Sequence, residues 1–299
     1  MPVTIDGSAI PQPSNYANAI MTNAFQGSVV GQLTPSEPLI LGDNVIPVYN
    51  GGIEAGVVGE GEAKPVSEPS VSSKVIQPVK LATIVIVSDE AVRLNPGRML
   101  DFVQADLQNA ITRAVDLLTL HGRSAKTGTV VPGIDYVNQT TNRVVSDGVG
   151  GFGGEILAAY DAAAAGGDDP NGFAFDSLVR SKVAIAAQQT DGANLLVPNL
   201  NQAASTVAGL PAAYGRAVSG RIGASTDTGV LGFAGDWSQV RWGFAENISI
   251  QTSREATITD GAQTYHLFQQ NLRALLVEAQ VGMTVLDPSA FAAIDKSAP

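Results

Sequence analysis

A catalyst needs a nucleophile with a base and an acid, or a metal, and each leaves a trace in residue spacing. Ser219 precedes Gly220 and follows Gly215, but these do not make the small-residue frame that exposes a nucleophilic serine. Gly148 to Gly154 is rich in glycine, yet no Lys-Ser/Thr follows it and no convincing strand precedes it, so it is not a phosphate loop. Asp168-Asp169 could hold a cation, but an isolated acidic pair in a loop is more often solvated. The chain has no Cys, which excludes disulfides and thiolate metal sites, and its two His are too few for most histidine metal sites. His121, beside Gly122, reads as a helix C-terminal residue favoured by the dipole. Trp237 and Trp242 read as sheet-packing residues and not as base-stacking ones. No conventional active site emerges, and no cofactor or metal is expected.

The elements that would position any chemistry are more informative. Leu81 to Val87 is a β-branched apolar run of strand length. Ser88 stands where a helix N-cap belongs, with Asp89 and Glu90 in the first turn. Asn95 can cap a second helix with Pro96 at its first position. From there Leu100, Val103, Leu107, Ala110, Ile111, Ala114, Leu117 and Leu118 recur at helical spacing, and Gly122 follows as a C-cap. The pattern predicts one amphipathic helix of roughly 35 Å. Globular helices average about 11–12 residues, so this one reads as a spine to which other parts attach.

Other stretches arrange themselves around it. Ser14 to Phe25 carries apolar residues on one face and predicts a short helix in an otherwise extended N-terminal arm. Such an arm packs either on its own domain or across a neighbouring subunit. Val45 to Tyr49 predicts a strand, Asn50-Gly51-Gly52 a turn, Ile53 to Val58 a weaker strand, and Gly59 to Pro65 a polar tip. Val71 to Leu81 leads back into the spine strand. This is a long hairpin with too little apolar content in its outer half to bury itself. It is either a floppy loop or an arm that docks on a partner. Residues 123–154 read as a linker. Ile156–Ala165 and Phe175–Gln189 predict helices, and Val230–Ala234, Gln239–Phe244 and Ile248–Thr252 predict strands. Leu272 to Val285 alternates in the manner of strands around Gly282.

Charge narrows the function classes. Lys and Arg number 17 against 28 Asp and Glu, a net charge of −11. That argues against strong sequence-independent DNA binding. No Lys or Arg precedes Lys64, so no signal peptide, transit peptide or basic nucleic-acid arm is expected. No apolar run has membrane-spanning length, and no membrane partner is expected.

Several motifs in order carry a resemblance. KLATIVIVSDEAV, the long helix ending LLTLHG, and VVPGI resemble the middle of the major capsid proteins of tailed bacteriophages. GEGEAKPVSEP resembles the tip of their extended loop. AGLPA followed by LGFAGDWSQVRWG resembles the end of their axial domain. FQQNLRALLVEAQVGMTVLDPSAFAAI resembles their C-terminal signature. The resemblance implies an α+β fold of the Hong Kong 97 type. It has an N-terminal arm at 1–43, an extended β-hairpin loop at 44–80, a peripheral domain at 81–124 and 263–299, and an axial domain at 125–262. It implies a major capsid protein that self-assembles as hexamers and pentamers of an icosahedral head around double-stranded DNA. The DNA would be contacted weakly, with Arg93, Arg98 and Arg113 as candidate contacts. Assembly in the host bacterial cytoplasm, with a scaffolding protein, a portal and a decoration protein as partners, follows from the same resemblance. The initial Met and the missing helical scaffolding segment lead one to expect scaffolding as a separate protein. The alternatives are an encapsulin-type compartment shell and a soluble α+β enzyme with an unrecognised site.

The resemblance also implies one covalent reaction. In some family members an extended-loop lysine forms an isopeptide bond with a peripheral-domain asparagine of another subunit, and a glutamate acts as base. Lys64, Asn271 and Glu278 match that arrangement. Lys-Pro at such a tip equally suits a surface salt bridge.

Overall fold

The computed structural model describes residues 28–49, 51, 53–61, 63–90, 96–146, 151–166, 169–186, 206–261 and 263–296, without the side chains of 96–105, 107, 108, 184–186 and 247. The first element is a single helical turn, α1 (Val29–Leu33), capped by Ser28, whose Oγ accepts from Gly31 N. Strands β1 (Asn44–Tyr49) and β2 (Val71–Ile76) then form an antiparallel pair, with Val45 opposite Val75 and Tyr49 opposite Val71. Strand β3 (Val79–Ser88) follows, and Ser88 ends it directly before Asp89 and Glu90, which are helical, so it stands at the N-cap position expected of it. The spine is α2 (Pro96–His121), 26 residues and about 39 Å long. Gly122, at φ +63°, ends it in the left-handed conformation expected of a C-cap glycine. Val115, Leu117, Leu118 and Leu120 are all buried in the main core. Each contributes on the order of 1.5–3 kcal/mol of transfer free energy. The predicted helix at Ser14–Phe25 and the Asn95 cap lie outside the described residues.

The stretch read as a linker carries structure. It holds β4 (Asn142–Ser146) and the start of α3 (Gly151–Ala164). Phe175 belongs to β5 (Gly172–Phe175) and not to a helix, and α4 (Arg180–Ala186) begins only after a 3-10 turn. Aromatic residues at alternate positions, Phe173 and Phe175, favour the strand, and the run was read with the wrong period. Next come β6 (Thr206–Val207), β7 (Leu210–Tyr214) and β8 (Val230–Gly235). The two predicted strands at 239–252 are one, β9 (Val240–Ser253). A small hairpin, β10 (Thr257–Asp260) and β11 (Gln263–His266), leads into β12 (Leu272–Val285), which runs through Gly282 unbroken, and β13 (Phe291–Lys296) closes the chain. The weak strand predicted at Ile53–Val58 does not form.

Two sheets carry the body. The three-stranded one has the order β3-β12-β9, antiparallel throughout, with β12 central. Its Leu275, Val277, Ala279, Val281 and Met283 point into the core with α2, while Leu276, Glu278 and Gln280 alternate to the other face. The six-stranded sheet has the order β4-β13-β8-β5-β7-β6, parallel at β4–β13 and at β5–β7. Helix α3 covers one face of it, with Ile156 and Ala159 among Phe173, Phe175 and Ile294. The end of α2 meets the other face, where the His121 and Phe233 rings lie 5.9 Å apart. The C-terminal β13 thus completes this sheet, whereas β9 completes the sheet of β3 and β12.

Residues 28–39 of the arm lie on their own domain. Glu37 N donates to Trp242 O (2.8 Å) and Leu39 N to Phe244 O (3.3 Å), so the arm runs along the edge of β9. Thr34 Oγ1 donates to Trp237 O (2.7 Å), and Trp242 Nε1 donates to Thr34 O (3.1 Å). Both tryptophans are buried, as read from the sequence.

Candidate assembly surfaces

The hairpin of β1 and β2 is held at its base and bare beyond it. Ile76 is buried and packs at Gly282. Lys74 Nζ donates to Asp135 Oδ2 (3.0 Å) and Val285 O (2.6 Å), which ties β2 to the body. On the opposite face, Val45, Tyr49, Val71 and Val75 form two cross-strand apolar pairs that are 47–63% exposed. Beyond the strands, Ser70 N donates to Gly51 O, and Ser67 Oγ bonds both the N–H and the carbonyl of Glu54. The two limbs of the loop therefore stay together. Val57 and Val66 are almost fully exposed near the tip. A two-stranded ribbon with an apolar face toward water is unstable by itself, and its chemistry calls for an apolar cover.

Such a cover has a counterpart on the three-stranded sheet. Its face away from α2 presents Ile84, 48% exposed, beside Leu276 on β12. Glu278 lies on this face and pairs with Lys80 Nζ at 2.7 Å. Beside it Gln280 Nε2 donates to Glu246 Oε2 (2.9 Å).

Lys64 is exposed in the loop. Asn271 is exposed in the turn before β12 at φ +51°, a conformation that asparagine tolerates, and its carbonyl accepts from Asp89 N (2.9 Å). Asn271 and Glu278 are seven residues apart on an extended strand, which places them about 23 Å from each other. One chain therefore does not bring its own asparagine and glutamate together.

Two buried groups escaped the sequence reading. Asp116 on α2 is buried and accepts from Val29 N (2.9 Å), Val30 N (3.2 Å) and Ser28 Oγ, so it holds the arm at α1. Burial pushes its pKa up to about 6, against the pull of those three donors. His121 is buried too, and burial lowers its pKa to about 4. Its Nε2 lies 2.9 Å from Val218 O, which only accepts, so Nε2 carries the proton, and among the described residues Nδ1 has no hydrogen-bond partner. His121 is the last residue of α2, as expected, but a neutral imidazole brings no charge to the helix dipole. Of the candidate DNA contacts, Arg93 and the Arg98 side chain lie outside the described residues. Arg113 is half-exposed, with Asp106 at 4.0 Å. Asp169 is exposed and Asp168 lies outside the described residues. Among the described residues no three His, Asp or Glu cluster in a way that could hold a metal.

A split α+β body, a spine helix and a bare hairpin define a subunit built to associate. Residues 9–296 match the phage capsid family, and the chain belongs to that family. It is 28% identical over 292 residues to gp17 of Mycobacterium phage D29, named a probable major capsid protein, covering 93% of this chain and 87% of that one. The namesake of Mycobacterium phage L5 is 28% identical over 283 residues, covering 88% and 82%. A solved chain from Gordonia phage Cozz superposes with a TM-score of 0.74 at 30% identity, covering 91% of this chain and 87% of that chain. One from Mycobacterium phage Ogopogo gives 0.75 at 26%, covering 91% and 92%. The fold is of the Hong Kong 97 type, and the protein is a major capsid protein of a tailed phage and a component of the virion. The family match favours this reading over the encapsulin and enzyme alternatives.

Proposed function

We propose that copies of this chain join as hexamers and pentamers through the hairpin. Its bare face, Val45, Tyr49, Val71 and Val75, would lie on a neighbour's Ile84–Leu276 sheet face. The observation that carries this is the pairing of two uncovered apolar surfaces on one chain. In this reading the shell assembles in the host bacterial cytoplasm with a scaffolding protein, acquires a portal and a decoration protein, and encloses double-stranded DNA. The DNA is held loosely, because a chain of charge −11 repels phosphate. The arm (1–43), the extended loop (44–80), the peripheral region (81–124 and 263–299) and the axial region (125–262) remain useful names. We would assign β9 to the peripheral sheet and β13 to the axial one.

A covalent step is compatible with this docking. The Lys64 amine of one subunit would attack the Asn271 carboxamide carbon of a second. A new C–N bond forms, the bond to Nδ2 breaks, and ammonia leaves. The glutamate base takes the amine proton and returns it to the leaving nitrogen. The 23 Å of strand between Asn271 and Glu278 means that the base comes from a subunit other than the one that supplies Asn271 (about 3.3 Å per residue). Electron microscopy of the purified chain tests the assembly. Closed shells are expected from the wild type and only small oligomers from Val75→Glu. Shells from both would sink the docking reading.

A further inference from the structure

A cavity of about 870 Å³ opens between α2, strand β3 and the turns at 124–126 and 215–223. Its charge is opposite to that of the molecule. Five of the 17 cations border it, but the Lys80 ammonium pairs with Glu278 on the far face of the sheet, which leaves Arg113, Lys126, Arg216 and Arg221 against one carboxylate, Asp116. That carboxylate is occupied by the arm. Arg221 is committed to Asp176, with Nη2 at 3.0 and 2.8 Å from its two oxygens, and Lys80 to Glu278. Lys126 and Arg216 are exposed, and among the described residues no carboxylate lies within ion-pair distance of either. For Arg113 the carboxylate within that distance among the described residues is Asp106, at 4.0 Å. Three cations from three separate elements therefore converge on one opening without close partners. Beneath them the lining is apolar, with the half-buried Val79, Leu81 and Val131 over the buried Val29, Leu118 and Ile222.

We infer that this cavity is a receptor for a short acidic peptide with an aliphatic anchor, carried by a protein other than this one. The carboxylates would meet Arg113, Lys126 and Arg216, and the aliphatic side chain would reach the apolar floor at Val79, Leu81 and Val131. Several features favour a peptide over nucleic acid. The volume falls in the range of about 300–1,000 Å³ typical of small-ligand sites. An apolar floor rewards an aliphatic side chain and offers nothing to a phosphate. A duplex reads a surface stripe of cations, not a recess. The chain's own acidic loop is excluded by the proposed docking, which seats it on the opposite face of the three-stranded sheet. The inference rests on the shell reading for its setting and for excluding the chain's own loop, whereas peptide binding itself is a property of the free chain.

Fluorescence anisotropy of the purified full chain tests it, with a labelled decapeptide of Glu and Leu as probe. Saturable binding is expected. The K126E/R216E pair should weaken it at least about tenfold and K126Q/R216Q by less, in line with the loss of complementary charge. Replacing the peptide's Leu by Ser should weaken it as well. Circular dichroism identifies a variant that fails to fold, and the Gln pair then carries the comparison. Absence of peptide binding, or equal binding by wild type and both folded pairs, would overturn the inference. So would a short DNA duplex that binds more tightly than the peptide and depends on the same two residues. Peptide binding by a chain that forms no shells would fail the shell reading and leave this one standing.

Discussion

Asp116 and His121 sit five residues apart on the buried side of the spine, and they titrate in opposite senses. The carboxyl of Asp116 has a folded pKa of about 6, above its ordinary value of 3.8. Its contribution is therefore present below about pH 4 and is lost as pH rises through 6. The imidazole of His121 has a folded pKa of about 4, below its ordinary 6.5. Its contribution is present above 6.5 and is lost as pH falls through 4. Each is worth on the order of 3 kcal/mol across its window, so in the wild type the two nearly cancel. Removing one should expose the other. The Asp116→Asn chain should lose stability on going from pH 7.5 to 4.5 more steeply than wild type, and His121→Gln should gain relative to it. Denaturant unfolding at the two pH values measures both. Parallel behaviour of all three chains would show that neither group titrates as described.

At the scale of elements, the arm is a strap laid over an edge that would otherwise be open. Residues 37–39 satisfy the outer carbonyls of β9, and an uncovered strand edge is a template for unwanted pairing. The crossing is close enough that Gly243 has no room for a side chain: a Cβ there would overlap the Glu37 carbonyl oxygen. Gly243→Ala should lift the arm and cost about 2–3 kcal/mol, in the range of overpacked core positions. Limited proteolysis should then cut within residues 28–40 faster than in wild type. An unchanged digestion pattern would mean that the strap yields without detaching. The hairpin behaves differently, because only its base is tied. Lys74→Met removes the ion pair to Asp135 and the bond to Val285 O. Since Asp135 is about half exposed, the loss should be modest, about 1 kcal/mol, read as a small fall in denaturation midpoint.

For the whole molecule, the open questions concern neighbours. The described residues of the tip, 59–61, 63 and 64, are exposed, so the tip should exchange amide hydrogens quickly in the free subunit and slowly in the shell. Equal protection in both states would contradict docking of the loop. Denaturing electrophoresis of mature particles decides the covalent step. A ladder that disappears in Lys64→Ala establishes the isopeptide bond. A single band near 30.8 kDa leaves Lys64 as a docking residue only.

What was legible in the sequence was what local periodicity encodes. The spine helix from Pro96, the strand before it, the first strand of the hairpin and the glycine that ends the helix all follow from spacing, length and turn chemistry within a few residues. So did the bareness of the hairpin, since a stretch with few apolar residues in its outer half has nothing to bury. Ordered motifs placed the chain in its family. What only the tertiary structure decided depends on partners far apart in sequence. Phe173 and Phe175 became strand because β7 and β8 flank them, and β13 became strand because β4 and β8 do. Asp116 falls between the apolar positions Ala114 and Leu117 of the spine helix. It is buried because Ser28, Val29 and Val30, more than eighty residues earlier, supply its donors. Burial of a charge is a property of everything packed around it, and no spacing along one helix can express that.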